Sequence, residues 1–202
     1  MKKTAILIAA LVGVLLTFQA QAQEPGQSFF GAGFGAVNTD GASPYTNTQD
    51  EDTASGYKIY AGTMFDNHFG MELGYYDLGR YNVNFGGAKL AESKASAITV
   101  AGVLATPLGG GYYFHAKAGL AFTQFEITCR PLYCGTGGPP ALANTTKRGV
   151  SGVLGLGLGA RLWREIELRI DYDHFGAVHH QLSNFGYKNP YDILSVSMQF
   201  NF

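Results

Sequence analysis

Residues Asp192 to Phe202 read Asp-Ile-Leu-Ser-Val-Ser-Met-Gln-Phe-Asn-Phe, and this stretch decides the fold. Leu194, Val196, Met198, Phe200 and Phe202 take every second position. Ser195, Ser197, Gln199 and Asn201 take the positions between them. Period 2 over this length is the signature of a strand with one apolar and one polar face. The polar face carries no charge, and the last residue is aromatic.

The same alternation recurs upstream. It predicts strands at about 28–37, 55–65, 69–79, 94–107, 112–125, 149–162 and 165–175, with 191–202 as the eighth. Their lengths approach the ~9–11 residues of a tilted membrane strand. The connections alternate in length. Asn38–Ala54, Arg80–Ser93, Glu126–Arg148 and Gly176–Pro190 are long, whereas Asp66–His68, Leu108–Gly111 and Trp163–Arg164 are tight. In an antiparallel up-and-down barrel, alternate connections share an end. All long loops then fall at one end and all tight turns, with both termini, at the other. That asymmetry is characteristic of barrels in the bacterial outer membrane. The expected fold is therefore all-β: one eight-stranded antiparallel up-and-down transmembrane β-barrel.

Charge parity tests this independently. Lys58 lies opposite the face formed by Tyr57, Ile59, Ala61 and Thr63, and Glu72 lies opposite Met71, Leu73 and Tyr75. His115 and Lys117 oppose Phe114, Ala116 and Ala118, while Arg161 shares its parity with Gly155, Gly157 and Gly159. Glu167, Arg169, Asp171 and Asp173 oppose Ile166, Leu168, Ile170 and Tyr172. A charge on the lipid face costs ~2–4 kcal/mol at the midplane, so this parity is expected to face the lumen. A soluble, lipocalin-like barrel predicts the reverse facing. Aromatics near strand ends favour the membrane, since they suit two interfacial girdles. They are Phe30, Tyr57, Phe65, Phe69, Tyr75, Tyr112, Trp163, Tyr172 and Phe202.

Composition agrees. Charged residues make up 14% of the chain, against ~25% in soluble domains. Residues 1–22 read as a signal peptide, with Lys2 and Lys3, an apolar run from Ala5 to Leu16 and a small-residue cleavage site at Ala20–Ala22. The barrel domain is expected over 23–202. A net charge of -1 points to no nucleic-acid partner. No residue set suggests a cofactor or a metal.

The closing strand resembles the terminal strand of outer-membrane barrels, in which Val196, Met198, Phe200 and Phe202 would be read by the barrel-assembly machinery. Phe69–Gly79 (Phe-Gly-Met-Glu-Leu-Gly-Tyr-Tyr-Asp-Leu-Gly), His115–Ala121 and Glu167–Asp173 extend the likeness. Together they resemble the OmpA-like transmembrane domain family of small outer-membrane barrels. Members often continue into a peptidoglycan-binding domain. No such segment is seen here, so that anchoring role is not expected. The resemblance implies an integral outer-membrane protein, not an enzyme, with a structural and surface-interaction role. Its loops would meet host cells, phage or antibody. It also makes a narrow, low-conductance pore the alternative.

Eight strands leave an interior that side chains just fill, and charges there must pair. Lys58, Lys117, Arg161 and Arg169 match Glu72, Glu167, Asp171 and Asp173 in number. They are expected to form a luminal network that either plugs the barrel or gates it. Gly155, Gly157 and Gly159 would make room for Arg161 or for water. Cys129 and Cys134 share one long loop in an oxidising compartment and suggest a local disulfide. His174, His179 and His180 read as loop histidines. His180 and Ser183 invite comparison with outer-membrane lipid A deacylases, but the pair lies in a loop and the tight His-x-Ser pattern is missing. Loop one, with Asp40, Asp50, Glu51 and Asp52, reads as a solvated surface.

Overall fold

A computed structural model describes residues 26–39, 48–50, 53–85, 88–129, 145–182 and 185–202. Eight long strands form it: β1 (Ser28–Thr39), β2 (Thr53–Met64), β3 (Phe69–Phe85), β4 (Ala88–Gly109), β5 (Tyr112–Cys129), β6 (Thr145–Arg161), β7 (Ile166–Leu182) and β8 (Phe185–Asn201). Each pairs antiparallel with the next. β1 and β8 close the circle, from Phe29 opposite Asn201 to Thr39 opposite Tyr191. Closure leaves no strand edge in the hydrocarbon, where an unpaired backbone group costs several kcal/mol.

Facing follows the charge parity. In β8, Ser195, Ser197, Gln199 and Asn201 are buried, while Leu194, Met198 and Phe200 are exposed. The apolar parity therefore forms the outer wall, as a membrane barrel requires and a soluble one forbids. Outward positions turn from apolar to polar at the long-loop end of every strand. Ala36 gives way to Asn38, Tyr57 to Ser55, Tyr75 to Asp77 and Ile98 to Ser96. Phe122 gives way to Gln124, Val150 to Arg148, Tyr172 to His174 and Leu194 to Asp192. At the other end the exposed aromatics Phe30, Phe65, Phe69, Trp163 and Phe202 mark the second interface.

That second end also holds the tight turns. In the β2–β3 turn Asp66 accepts hydrogen bonds from the backbone N–H groups of His68 and Phe69, each at 2.7 Å. Those two donors hold its carboxyl below the usual carboxylate range.

Two connections expected as loops are instead strand. β3 runs on to Phe85 and β4 starts at Ala88, so most of Arg80–Ser93 is a ladder. Likewise β7 reaches Leu182 and β8 starts at Phe185, turning Gly176–Pro190 into a hairpin. The alternation fails there because of register shifts. One lies between Asp77 and Arg80, where Gly79 adopts φ 87, and another between Phe175 and Val178. A bulge adds one residue to one strand and so inverts the parity beyond it.

Above the rim the strands part company. β3, β4, β5 and β6 continue side by side as one sheet, to which Thr48–Asp50 adds along the end of β3. The β6–β7 ladder stops at Val153 opposite Phe175. From Thr145 to Gly152, β6 therefore pairs only with β5 among the described residues.

Candidate functional site

The lumen is the candidate site, because the charges that parity turns inward meet there. Lys58 Nζ lies 2.8 Å from Asp171 Oδ2 and 3.3 Å from Asp173 Oδ2. Lys117 Nζ lies 3.0 Å from Asp173 Oδ1 and 3.0 Å from Glu72 Oε1. The Asp173 Oδ1 contact is an ion pair without hydrogen-bond geometry. Arg169 closes the circuit, at 3.2 Å from Glu72 Oε2 and 3.0 Å from Asp171 Oδ1. Lys58, Asp171, Arg169, Glu72, Lys117 and Asp173 thus form a closed ring of alternating sign, drawn from β2, β3, β5 and β7. Each charge has two opposite neighbours. That is the condition under which burial of ions is tolerable, since a buried charge without a partner costs several kcal/mol.

Asp171 is the hub. Besides Lys58 and Arg169 it meets His115 Nε2 at 2.5 Å and accepts from Ser197 Oγ at 3.2 Å. Arg169 Nη2 lies 2.9 Å from the same His115 nitrogen. Gln199 ties the ring to a second pair nearer the periplasm. It accepts from Arg169 at 2.8 Å and donates to Glu167 Oε2 at 3.0 Å. Glu167 Oε1 lies 3.2 Å from Arg161 Nε, and Tyr113 donates to Oε2 at 2.8 Å. All eight charges that the sequence placed in the lumen are brought together here. Arg161 stays at the edge, with its side chain 12% exposed.

Apolar side chains flank the charged ring on both sides. Below, Tyr60 packs with Phe29, Met64, Ala105 and Tyr113. Above, Tyr76 packs edge-on to Phe175, at 5.1 Å between centroids, within a cluster that includes Val37, Leu78, Val153, Tyr191 and Ile193. Tyr60 and Tyr76 face the charges from opposite sides. The Arg169 guanidinium lies 4.7 Å from the Tyr60 ring, and Lys117 Nζ lies 5.5 Å from the Tyr76 ring. Tyr76 also accepts from Lys117 at 2.8 Å and donates to Asp173 at 3.2 Å.

The three luminal glycines of β6 serve another purpose than expected. Gly155, Gly157 and Gly159 stand opposite Lys117, His115 and Tyr113 of β5. A Cβ at any of them would collide with those same side chains. The space goes to β5's long side chains leaning across, not to Arg161 or to a water path. Gly157→Ala puts a methyl 2.5 Å from the His115 ring and 2.7 Å from the carbonyl oxygen of Ile170. Such overpacking is expected to cost about 1–3 kcal/mol in denaturant unfolding from vesicles, while Gly102→Ala, with open space around it, is expected to be near neutral.

Ser197 and Gln199 lie on the polar face that period 2 marks in the closing strand, but charge parity missed the part played by Tyr60, Tyr76 and Tyr113. They share the luminal parity, but neutral groups leave no mark on a pattern of charge. It also missed the apolar cap of Leu78, Phe175 and Ile193, which sits on the parity otherwise reserved for polar residues. His174 is not a loop residue. It lies on β7, half exposed on the outer wall, with Nδ1 2.7 Å from Asp192 Oδ1. The side chains of Cys129, His179 and His180, and all of Asp40, Cys134 and Ser183, fall outside the described residues, as do residues 1–22.

Of the closing-strand residues, Met198, Phe200 and Phe202 are exposed on the outer wall beside half-buried Val196. Phe200 and Phe202 stack at 6.3 Å between ring centroids.

A family model of the OmpA-like transmembrane domain matches residues 23–202. Comparison with curated proteins finds no match. Among solved structures, Neisserial surface protein A aligns at 15% identity and TM-score 0.60, over 88% of this chain and 99% of its own. OprG from Pseudomonas aeruginosa aligns at 15% identity and TM-score 0.62, over 90% and 98%. Ail, the attachment invasion locus protein of Yersinia pestis, aligns at 12% identity and TM-score 0.52, over 87% and 99%. At these identities the likeness concerns the fold.

Proposed function

The chain belongs to the OmpA-like transmembrane domain family, and on that premise we propose a closed, non-enzymatic outer-membrane barrel whose projecting sheet meets partners at the cell surface. One observation carries this reading. β3 to β6 continue beyond the polar rim as one sheet, and among the described residues β6 from Thr145 to Gly152 pairs with β5 alone. An exposed edge is a ready template for an added strand, and strand addition is a common mode of peptide recognition. A disulfide between Cys129 and Cys134 would stiffen the tip of β5. Residues 1–22 serve as the export signal. Val196, Met198, Phe200 and Phe202 address the barrel to its assembly machinery. A host surface or a phage receptor-binding protein is the class of partner at the sheet.

The salt-bridged lumen, filled by paired side chains, supports a scaffold over a pore. Deleting residues 126–148 removes the outer part of β5, the connection to β6 and the first four residues of β6, Thr145 to Arg148, while sparing the membrane belt. Bacteria carrying that variant are expected to lose attachment to epithelial cells while the barrel stays heat-modifiable on a gel. Unchanged attachment would reject the sheet as the binding surface. Purified barrel is expected to give no conductance steps in planar bilayers, and regular steps would reinstate the pore. Lipid A incubated with it should keep its acyl content.

A further inference from the structure

The segments at the long-loop end divide by charge. Between Thr39 and Thr53 stand Asp40, Asp50, Glu51 and Asp52, with no Lys or Arg. From Ile127 to Arg164 the chain has no Asp or Glu, and the outer part of β6 brings Lys147 and Arg148 into this stretch. From Gly176 to Asn189 the β7–β8 hairpin adds His179, His180 and Lys188, again without an acid.

Lys147 and Arg148 lie on the last strand of the projecting sheet. From Thr145 to Gly152, β6 pairs with β5 alone among the described residues, while β7 beyond its bulge pairs with β8. Successive residues of a strand point to opposite faces, so this edge carries one cation on each face. Arg148 is exposed on the outer face, where its Nε donates to Gln124 Oε1 at 3.3 Å. Lys147 is half-buried on the inner face. Neither has a carboxylate partner among the described residues. Glu126, the acid on the outer half of β5, lies opposite Thr146 and directly across from Lys94 of β4.

These charges select among occupants. A second copy adding β6 to β6 would set cations against cations, and like charges across a ladder are destabilising. Charge on an edge is a means by which strands avoid their own kind. The same two cations favour a strand with carboxylates at successive positions, one on each face, because opposite charges across a ladder stabilise it. Main-chain pairing along such an edge is something a peptide supplies and an anionic polysaccharide does not.

We propose that the open side of β6 takes an extended acidic segment of a partner protein, with one carboxylate against Lys147 and the next against Arg148. This rests on the projecting sheet as the binding surface and names the chemistry of what it binds.

Anisotropy of dye-labelled octapeptides on the purified full barrel in micelles tests it. The probes alternate Thr and Val around a central Glu-Asp, Gln-Asn or Lys-Lys pair. Wild type is expected to bind the Glu-Asp peptide about tenfold more tightly than the Gln-Asn peptide. Lys147→Glu combined with Arg148→Glu is expected to transfer that preference to the Lys-Lys peptide, which also shows that the variant is folded. Methylating alternate amide nitrogens of the Glu-Asp peptide is expected to abolish its binding. Equal binding of the Glu-Asp and Gln-Asn peptides, or binding of neither, would overturn the proposal. The sheet as binding surface would still stand in that case, because it fails only if deleting residues 126–148 leaves attachment unchanged. Undiminished binding of the methylated peptide would reduce the contact to the bare electrostatics that a sulfated glycan also satisfies. Self-association of wild type that the charge-reversed variant lacks would assign the edge to a second copy. Either of these results also overturns the proposal.

Discussion

Leu156→Arg is expected to destabilise the membrane-embedded barrel by about 2–4 kcal/mol, the cost of a cation near the bilayer midplane. Leu156 is 54% exposed on the outer wall, between Leu154 and Leu158 of the same strand. Its neighbours across the ladders are Ala116 and Tyr172, neither of them a carboxylate. Val150→Arg is the matched control on the same strand and the same face. Val150 borders Arg148 at the polar rim, where a long cationic side chain reaches water and the cost falls to about 0–1 kcal/mol. Trp163 is the chain's only tryptophan and sits exposed in a tight turn, so its fluorescence reports denaturant unfolding from vesicles. Equal stability of the two variants would refute the assignment of this face to lipid. An arginine on the opposite parity is no neutral comparison. At Gln199 it would replace the acceptor of Arg169 with a second cation.

The second large effect concerns the hub of the lumen. Asp171→Ala leaves Lys58, Arg169 and His115 without the carboxylate that each of them meets. The ring then holds three cations against Glu72 and Asp173. Removing one partner from a buried ion network costs about 3–5 kcal/mol, because the cost is that of the orphaned charge. The double variant Lys58→Met with Asp171→Asn restores the balance. Lys117 keeps Glu72 and Asp173, and Arg169 keeps Glu72. It is expected to be more stable than Asp171→Asn alone, a non-additivity that the double-mutant cycle with Lys58→Met measures. If the double variant were the less stable of the two, shape complementarity rather than charge balance would govern this layer.

Both predictions depend on facing, and facing shows how far local pattern reaches. The alternation from Asp192 to Phe202 marks two faces without saying which is inside. Charge on one parity and aromatics at the ends supplied the answer through the solvation cost of ions in lipid. The pattern broke at Asp77–Arg80 and Phe175–Val178, where bulges invert parity, so strands that continue above the membrane were read as loops. The same blindness hid Leu78 and Phe175, which cap the lumen from the face expected to be polar.

Period-2 alternation, the rhythm of long and tight connections and the closing aromatic strand are local properties of the chain. They determined an eight-stranded outer-membrane barrel and the eight charges of its interior. Which charge meets which was decided only by closure. Lys58 and Asp171 stand 113 residues apart, and Glu72 and Arg169 stand 97 apart. Their pairing depends on the register of all the strands between them.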